Sequence, residues 1–310
     1  MNRLNVRRCL EFFALFFVAF QLQGRADEAT SRFGNPHHLA SLEDPRIIES
    51  SGIVVSRRTP GIFWTHNDSG DGPYLYAFDQ AGHSLCTVTL EGAKNVDWED
   101  IAAGPGRGDK ATMYVGDIGD NNNNRTDYAV YRIPEPTVDL NSRKRTLKTG
   151  TAEKFPYVYP DGSHDAETLI VDPRNSNIYI VTKIETGISG VYQFPTPLTP
   201  NQVTTLKRVG TVKFTNPFRI RNRAVGKLVT AGDMSADGKT IAMRTYTDGF
   251  EWRVKPGQSV EEALKSTPAH FDVPWLGQYE ALGYSLDGMS LYTTSEGKPC
   301  PLWEIPGTRR

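Results

Sequence analysis

Cysteine is scarce in this chain: three residues in 310. No Cys-x-x-Cys and no His–Cys pair at zinc spacing occurs, which excludes a thiolate metal site. Charge of one sign is missing too. The formal net charge is −1, so neither a nucleic-acid surface nor an anionic-membrane surface is expected. Long apolar runs are absent; residues 12–20 make the longest, nine residues. At about 1.5 Å per residue that run cannot cross roughly 30 Å of hydrocarbon. No Gly-x-Ser-x-Gly elbow is present, which excludes a serine hydrolase of the α/β type. The glycine-rich stretch 104–108 has no Lys-Ser/Thr ending and is not a phosphate loop. The acidic turn from Asn67 to Gly72 opens like an EF-hand, but its twelfth position is Phe78 rather than glutamate, so that reading fails.

The nine-residue run does fit another role. Arg3, Arg7 and Arg8 precede it, and Gly24-Arg25-Ala26 offers small residues where a signal peptidase reads. Residues 1–26 are expected to be a cleaved signal peptide, and 27–310 a single exported domain, secreted or periplasmic, with no membrane segment after cleavage. Cys9 leaves with the signal. Cys86 and Cys300 remain, and read equally well as one disulfide or as two buried thiols.

What the chain has in quantity is turn residues, 28 glycines and 20 prolines, and a recurring unit. Five short segments resemble one another and begin at Ser51, Glu99, Glu167, Gly232 and Glu280, spaced by 48, 68, 65 and 48 residues. A turn follows each, often of the Asp-Gly kind, as at Asp237-Gly238 and Asp287-Gly288. Then come a second run ending in polar residues and a third of aromatic-x-aliphatic type, such as Tyr131-Arg132-Ile133 and Trp303-Glu304-Ile305. Alternation with period two marks strands. Antiparallel units repeated radially make a β-propeller. The expected fold is all-β, a five-bladed propeller, with six blades the alternative if a degenerate unit hides in residues 213–229. The last unit ends just after Pro306 and lacks its outermost strand; residues 38–48 are expected to supply it and close the ring. Residues 138–151, rich in Lys and Arg, read as an exposed insertion in blade two.

In such a blade the start of the innermost strand and the end of the second lie at the same channel mouth. The starts bring Ser51, Glu99, Glu167 and Glu280, flanked by Asp97, Asp165 and Gln278. The ends bring Asp68, Asp117, Lys183, Arg244 and Glu296. Two unit charges 4 Å apart in an effective dielectric of 20 cost about 4 kcal/mol. The glutamates must therefore protonate, pair with Lys183 or Arg244, or hold a cation. Carboxylates plus a hydroxyl, without His or Cys, form an oxygen site suited to Ca²⁺; a water-filled channel crossed by salt bridges is the alternative. Paired glycosidase acids are disfavoured, because three equivalent glutamates in a ring look more like a metal seat.

The order Ser51, Glu99, Glu167, a weaker fourth position and Glu280 resembles the calcium-activated nucleotidases, the secreted apyrases. Asn67-Asp68-Ser69-Gly70 looks like that family's acidic turn, and the segment from Ile241 to Thr245 like its run ending in a basic residue. The chain is also similar to exported bacterial propellers with phytase- or esterase-like relatives. The resemblance implies five blades and a central calcium held by Ser51, Glu99, Glu167 and Glu280. It also implies Lys183 and Arg244 on the oxygens of a small phosphorylated ligand. The fourth position, Gly232, departs from the pattern, with the hydroxyl of Thr230 two residues earlier. The functional expectation is a calcium-dependent hydrolase of phosphate esters or anhydrides, with Asp68 or Asp117 orienting water. The alternative is a non-catalytic ligand- or protein-binding propeller with a structural calcium. No nucleic-acid partner is expected, and the protein is expected to be a monomer.

Overall fold

The computed structural model describes residues 31–106, 111–141, 143, 145–215 and 225–308. Among these residues there are five small sheets, each antiparallel from its innermost strand outward through the fourth, with almost no helix. The innermost strands are Ser50–Val55, Trp98–Pro105, Ala166–Val171, Val229–Met234 and Gly283–Tyr284. This is a five-bladed β-propeller. No sixth sheet occurs among the described residues, and residues 216–224 of the segment that could have held one lie outside them. The expected signal peptide, 1–26, also lies outside the described residues.

Period-two alternation explains how the blades pack. On the second strand of blade one, Ile62 and Trp64 point into an apolar layer shared with blade two, while Phe63 between them points into a layer shared with blade five. Each blade is thus apolar on both faces, and each of the five interfaces has its own core. A strand buried on both faces reads as a continuous apolar run, which is why Leu169-Ile170-Val171 and Ile178-Tyr179-Ile180-Val181 show little polar alternation.

The ring closes as expected. His37–Ser41 pairs antiparallel with Pro301–Ile305 and becomes the outermost strand of blade five. Glu49 also bridges to Glu296. Cys86 and Cys300 are free, buried thiols, which settles the choice against a disulfide.

Two expectations need correction. The segment 138–151 is not an appendage of blade two: Arg145–Lys148 runs parallel to Ser84–Thr89 and adds a fifth strand to blade one. Thr204–Thr205 does the same for blade two, pairing with Glu153–Val158. The connections from third to fourth strand in blades two and three thus cover the outer edge of the preceding blade, which would otherwise stand open.

The second correction concerns register. In each of the first four blades the inner strand carries a bulge, between Ser50 and Gly52, Trp98 and Asp100, Ala166 and Thr168, and Val229 and Ala231. The residue inside the bulge is Ser51, Glu99, Glu167 and, in blade four, Thr230. The fourth lead position is therefore Thr230, not Gly232. Gly232 lies two residues deeper, where a β-carbon would press on Met243, Thr168 and the Ala242 carbonyl. A bulge re-aims one side chain out of the alternation, here toward the axis.

Candidate functional site

The bulges of the first four blades carry Ser51, Glu99, Glu167 and Thr230 to one channel mouth, and Glu280 comes from the connection before the inner strand of blade five. Ser51 Oγ donates to the Glu99 carbonyl oxygen at 2.8 Å and to Glu99 Oε2 at 3.1 Å. Thr230 Oγ1 makes the matching inter-blade bond to the Tyr279 carbonyl at 3.1 Å. Glu99 and Glu167 are each only 2 % exposed, and Glu280 is 4 % exposed. Glu280 Oε1 accepts from the Tyr246 hydroxyl at 2.7 Å. Lys183 Nζ donates to Glu167 Oε1, and its ammonium also sits 5.5 Å from the centre of the Tyr246 ring. The other oxygen, Glu167 Oε2, is buried with no hydrogen-bond partner among the described residues.

A second tier of carboxylates surrounds the glutamates. Asp68, Asp97 and Glu99 each place an oxygen within 4.8 Å of the others, and so do Glu99, Asp165 and Glu167. The two sets share Glu99. Gly119 closes over them: a β-carbon there would collide with Glu99 Oε1 and Asp97 Oδ2, so only glycine lets the backbone approach so closely. The sequence signal for this tier was the repeated Asp-x-Glu, Asp97-Trp98-Glu99 and Asp165-Ala166-Glu167. The closure by Gly119 had no sequence signal.

The electrostatics are those of surplus negative charge. Burial, followed by Glu167, Asp68, Asp97 and Glu280, pushes the Glu99 carboxyl well above its ordinary range. Burial pushes Glu167 up in the same way, against the pull of Lys183. Burial raises Asp68 to about 7, with Asp97, Glu280 and Glu49 adding to it. Burial and the neighbouring Glu280 raise Glu296 to about 8. Burial works to lower the Lys183 ammonium, but the charge of Glu167 outweighs it and the net direction is upward. Among the described residues Lys183 pairs directly with one of these carboxylates and Arg125 acts on Asp97, so acids outnumber cations at the mouth.

The remaining predicted site residues are placed differently. Asp117 is 1 % exposed, accepts from Arg125 Nη2 at 2.8 Å and from the Asp97 backbone N–H at 3.0 Å, and serves as an internal brace. Arg244 is fully buried. Its guanidinium donates to Thr293 Oγ1 at 2.6 Å, to the Pro274 carbonyl at 3.0 Å and to the Thr245 carbonyl at 3.2 Å, and lies over the Tyr279 ring. Those donors are used within the protein. Asp68, by contrast, is partly open at the mouth, beside Asp97 and Glu99.

The fit to a hard divalent cation can be tested on this geometry. The donors are all oxygen, from Glu99, Glu167, Asp68, Asp97 and Asp165 with the Ser51 hydroxyl alongside. Glu167 Oε2 is an orphaned buried acceptor, a state that costs about 1–3 kcal/mol or more when nothing fills it. Oxygen donors in an irregular cluster match Ca²⁺ among the common metals.

No protein-family model matches the sequence, and no curated protein matches it. Among solved structures, the chain is similar to a gluconolactonase from Xanthomonas campestris, at 11 % identity and a TM-score of 0.44, covering 84 % of this chain and 72 % of that one. It is also similar to a candidate 6-phosphogluconolactonase from Bacteroides uniformis, at 14 % identity and a TM-score of 0.40, covering 86 % of this chain and 70 % of that one. At those values neither likeness carries an argument about chemistry.

Proposed function

We propose that this chain is an exported propeller whose hub binds a calcium ion through Glu99, Glu167, Glu280 and Ser51, with Asp68, Asp97 and Asp165 close by. The observation that carries the reading is the buried, partnerless Glu167 Oε2 beside a carboxylate cluster in which acids outnumber cations. When bound, the ion would supply a Lewis acid and a template for a substrate oxygen. Asp68 supports a hydrolytic role in particular. It sits at the open side of the cluster beside Asp97 and Glu99, placed to act as a general base. Ester or phosphoester hydrolysis is the reaction class that such a base beside such an ion serves. Arg244 contributes by holding the blade four–five wall, where its donors are engaged, while Lys183 holds Glu167 with one N–H and keeps others for a ligand oxygen. A structural calcium that locks the blades without turnover is the second reading, favoured by the inter-blade bonds of Ser51 and Thr230 at the same mouth.

The test is elemental analysis of the purified protein, followed by calorimetric calcium titration of the wild type and of Glu167→Gln. Calcium at one equivalent, with binding weakened in Glu167→Gln, supports the site. Undiminished affinity in that variant would remove it. Screening nucleotides and phytate with calcium and then with chelator separates the two readings, because a structural ion raises the melting temperature without turnover.

A further inference from the structure

Beside the acidic mouth lies a cavity of ≈ 670 Å³ that the calcium reading does not use. It is bounded by the connection from blade four to blade five, by Trp303 on the third strand of blade five, and by Asn35 and Pro36 just before the closing strand. Its size is that of a small-molecule site, for which about 300–1,000 Å³ is usual. Three aromatic rings face it: Trp275, Tyr279 and Trp303.

Two of those rings are fixed from behind. The Arg244 guanidinium lies 5.2 Å from the Tyr279 ring centre and bonds the Pro274 carbonyl, so it holds that wall in place. The His38 ring meets Trp303 edge-on with centroids 5.5 Å apart. Trp275 is 49 % exposed, a large apolar ring left facing solvent. The polar groups are few. Trp303 Nε1 is buried and turned to the Tyr279 hydroxyl, so it braces that ring. Asp272 is exposed, and Asn35 adds an amide.

We propose that this cavity binds a neutral sugar ring. A pyranose has an apolar C–H face that stacks on aromatic rings and an edge of hydroxyls that need donors and acceptors. Trp275 supplies the platform, and Tyr279 forms the wall behind it. The Asp272 carboxylate accepts from two neighbouring hydroxyls, and the exposed Asn35 amide donates to a ring or hydroxyl oxygen. The same carboxylate repels an anionic group, so the phosphate expected at the mouth does not belong here. An acyl chain would leave the Asp272 carboxylate and the Asn35 amide without partners in contact with hydrocarbon. The proposal stands apart from the calcium reading, since no cavity residue is among the proposed ligands; Tyr279 and Glu280 are merely neighbours in the chain.

The experiment is a tryptophan-fluorescence and calorimetric titration of the full chain with methyl β-glucoside, cellobiose and diacetylchitobiose, with decanoate as the acyl probe, each in calcium and in chelator. Saturable binding of a saccharide is expected, of similar affinity in both buffers, weakened about tenfold or more in Trp275→Ala. Asp272→Asn is expected to weaken it by a smaller factor. Both positions are exposed, so both variants are expected to melt with the wild type. Absence of saturable binding by any of the three saccharides overturns the proposal. So does equal affinity in Trp275→Ala, or saturation by decanoate alone. Failure here with calcium bound at the hub leaves the hub reading intact, and the converse holds.

Discussion

Two sets of buried carboxylates hang from the same inner strands, and they are treated in opposite ways. In mid-channel, Asp100 accepts from its neighbour Ile101 N–H at 2.9 Å and, across the interface, from the blade-three Leu169 N–H at 2.9 Å. Asp233 repeats the device two interfaces on, accepting from Met234 N–H at 2.8 Å and from the blade-five Tyr284 N–H at 2.9 Å. At the mouth, Glu99 and Glu167 are as deeply buried, yet they face other acids, and one oxygen of Glu167 has no partner among the described residues. Burial is therefore common to both sets and discriminates nothing. What separates a carboxylate that fastens blades from one that awaits a ligand is whether backbone N–H groups already occupy its oxygens.

That contrast can be broken by experiment. The largest effect belongs to the mid-channel pair. Asp100→Ala strands two buried N–H groups and is expected to cost roughly 2–6 kcal/mol in urea unfolding, with Asp233→Ala similar, while calcium affinity of the folded variants holds within about twofold. A loss of calcium binding with unchanged stability would reverse the two roles. Next comes Glu280→Gln, which keeps the acceptor for Tyr246 but removes a charge. Calorimetry should show calcium affinity lower by about a hundredfold, some 2.7 kcal/mol, with stability in chelator no worse than wild type.

Lys183→Met probes the built-in cation at Glu167. Freed of that competitor, the mouth should bind calcium about tenfold more tightly, some 1.4 kcal/mol; weaker binding would mean that the lysine organises the site instead of competing for it. The smallest effect is the pH dependence. Folding raises Asp68 to about 7 and Glu296 to about 8, above the ordinary carboxylate range near 4. An acid raised on folding stabilises the native state at low pH, and that contribution is lost as pH rises through the folded value. In chelator, the melting temperature should therefore decline between pH 5 and 9, and calcium should flatten the decline. Parallel curves with and without calcium would detach these two acids from the ion.

Much of this fold was legible in the chain. Repeated apolar runs, Asp-Gly turns and a missing last strand specify a closed ring, because a blade apolar on both faces must be sandwiched. The closing strand His37–Ser41 follows from the same arithmetic. The lead residues Ser51, Glu99, Glu167 and Glu280 were readable because they open each apolar run. Thr230 was not, since Ala231-Gly232-Asp233-Met234 mimics the lead pattern two residues late and only backbone pairing reveals the bulge. The commitment of Arg244 to Thr293 and Pro274 and of Asp117 to Arg125 was equally hidden. A charged residue in a sequence does not show which partner it will meet.

Local pattern, then, determined the architecture and the crowding of acids at one mouth, because strand periodicity and repeat spacing are properties of the chain itself. Which acids were tied to backbone N–H groups, which oxygen was left bare, and where Trp275, Tyr279 and Trp303 converge were decided by tertiary structure alone. The bonds that tie blade to blade join residues 48 to 69 apart in sequence, and their pairing register, shifted by one-residue bulges, is encoded by no local signal.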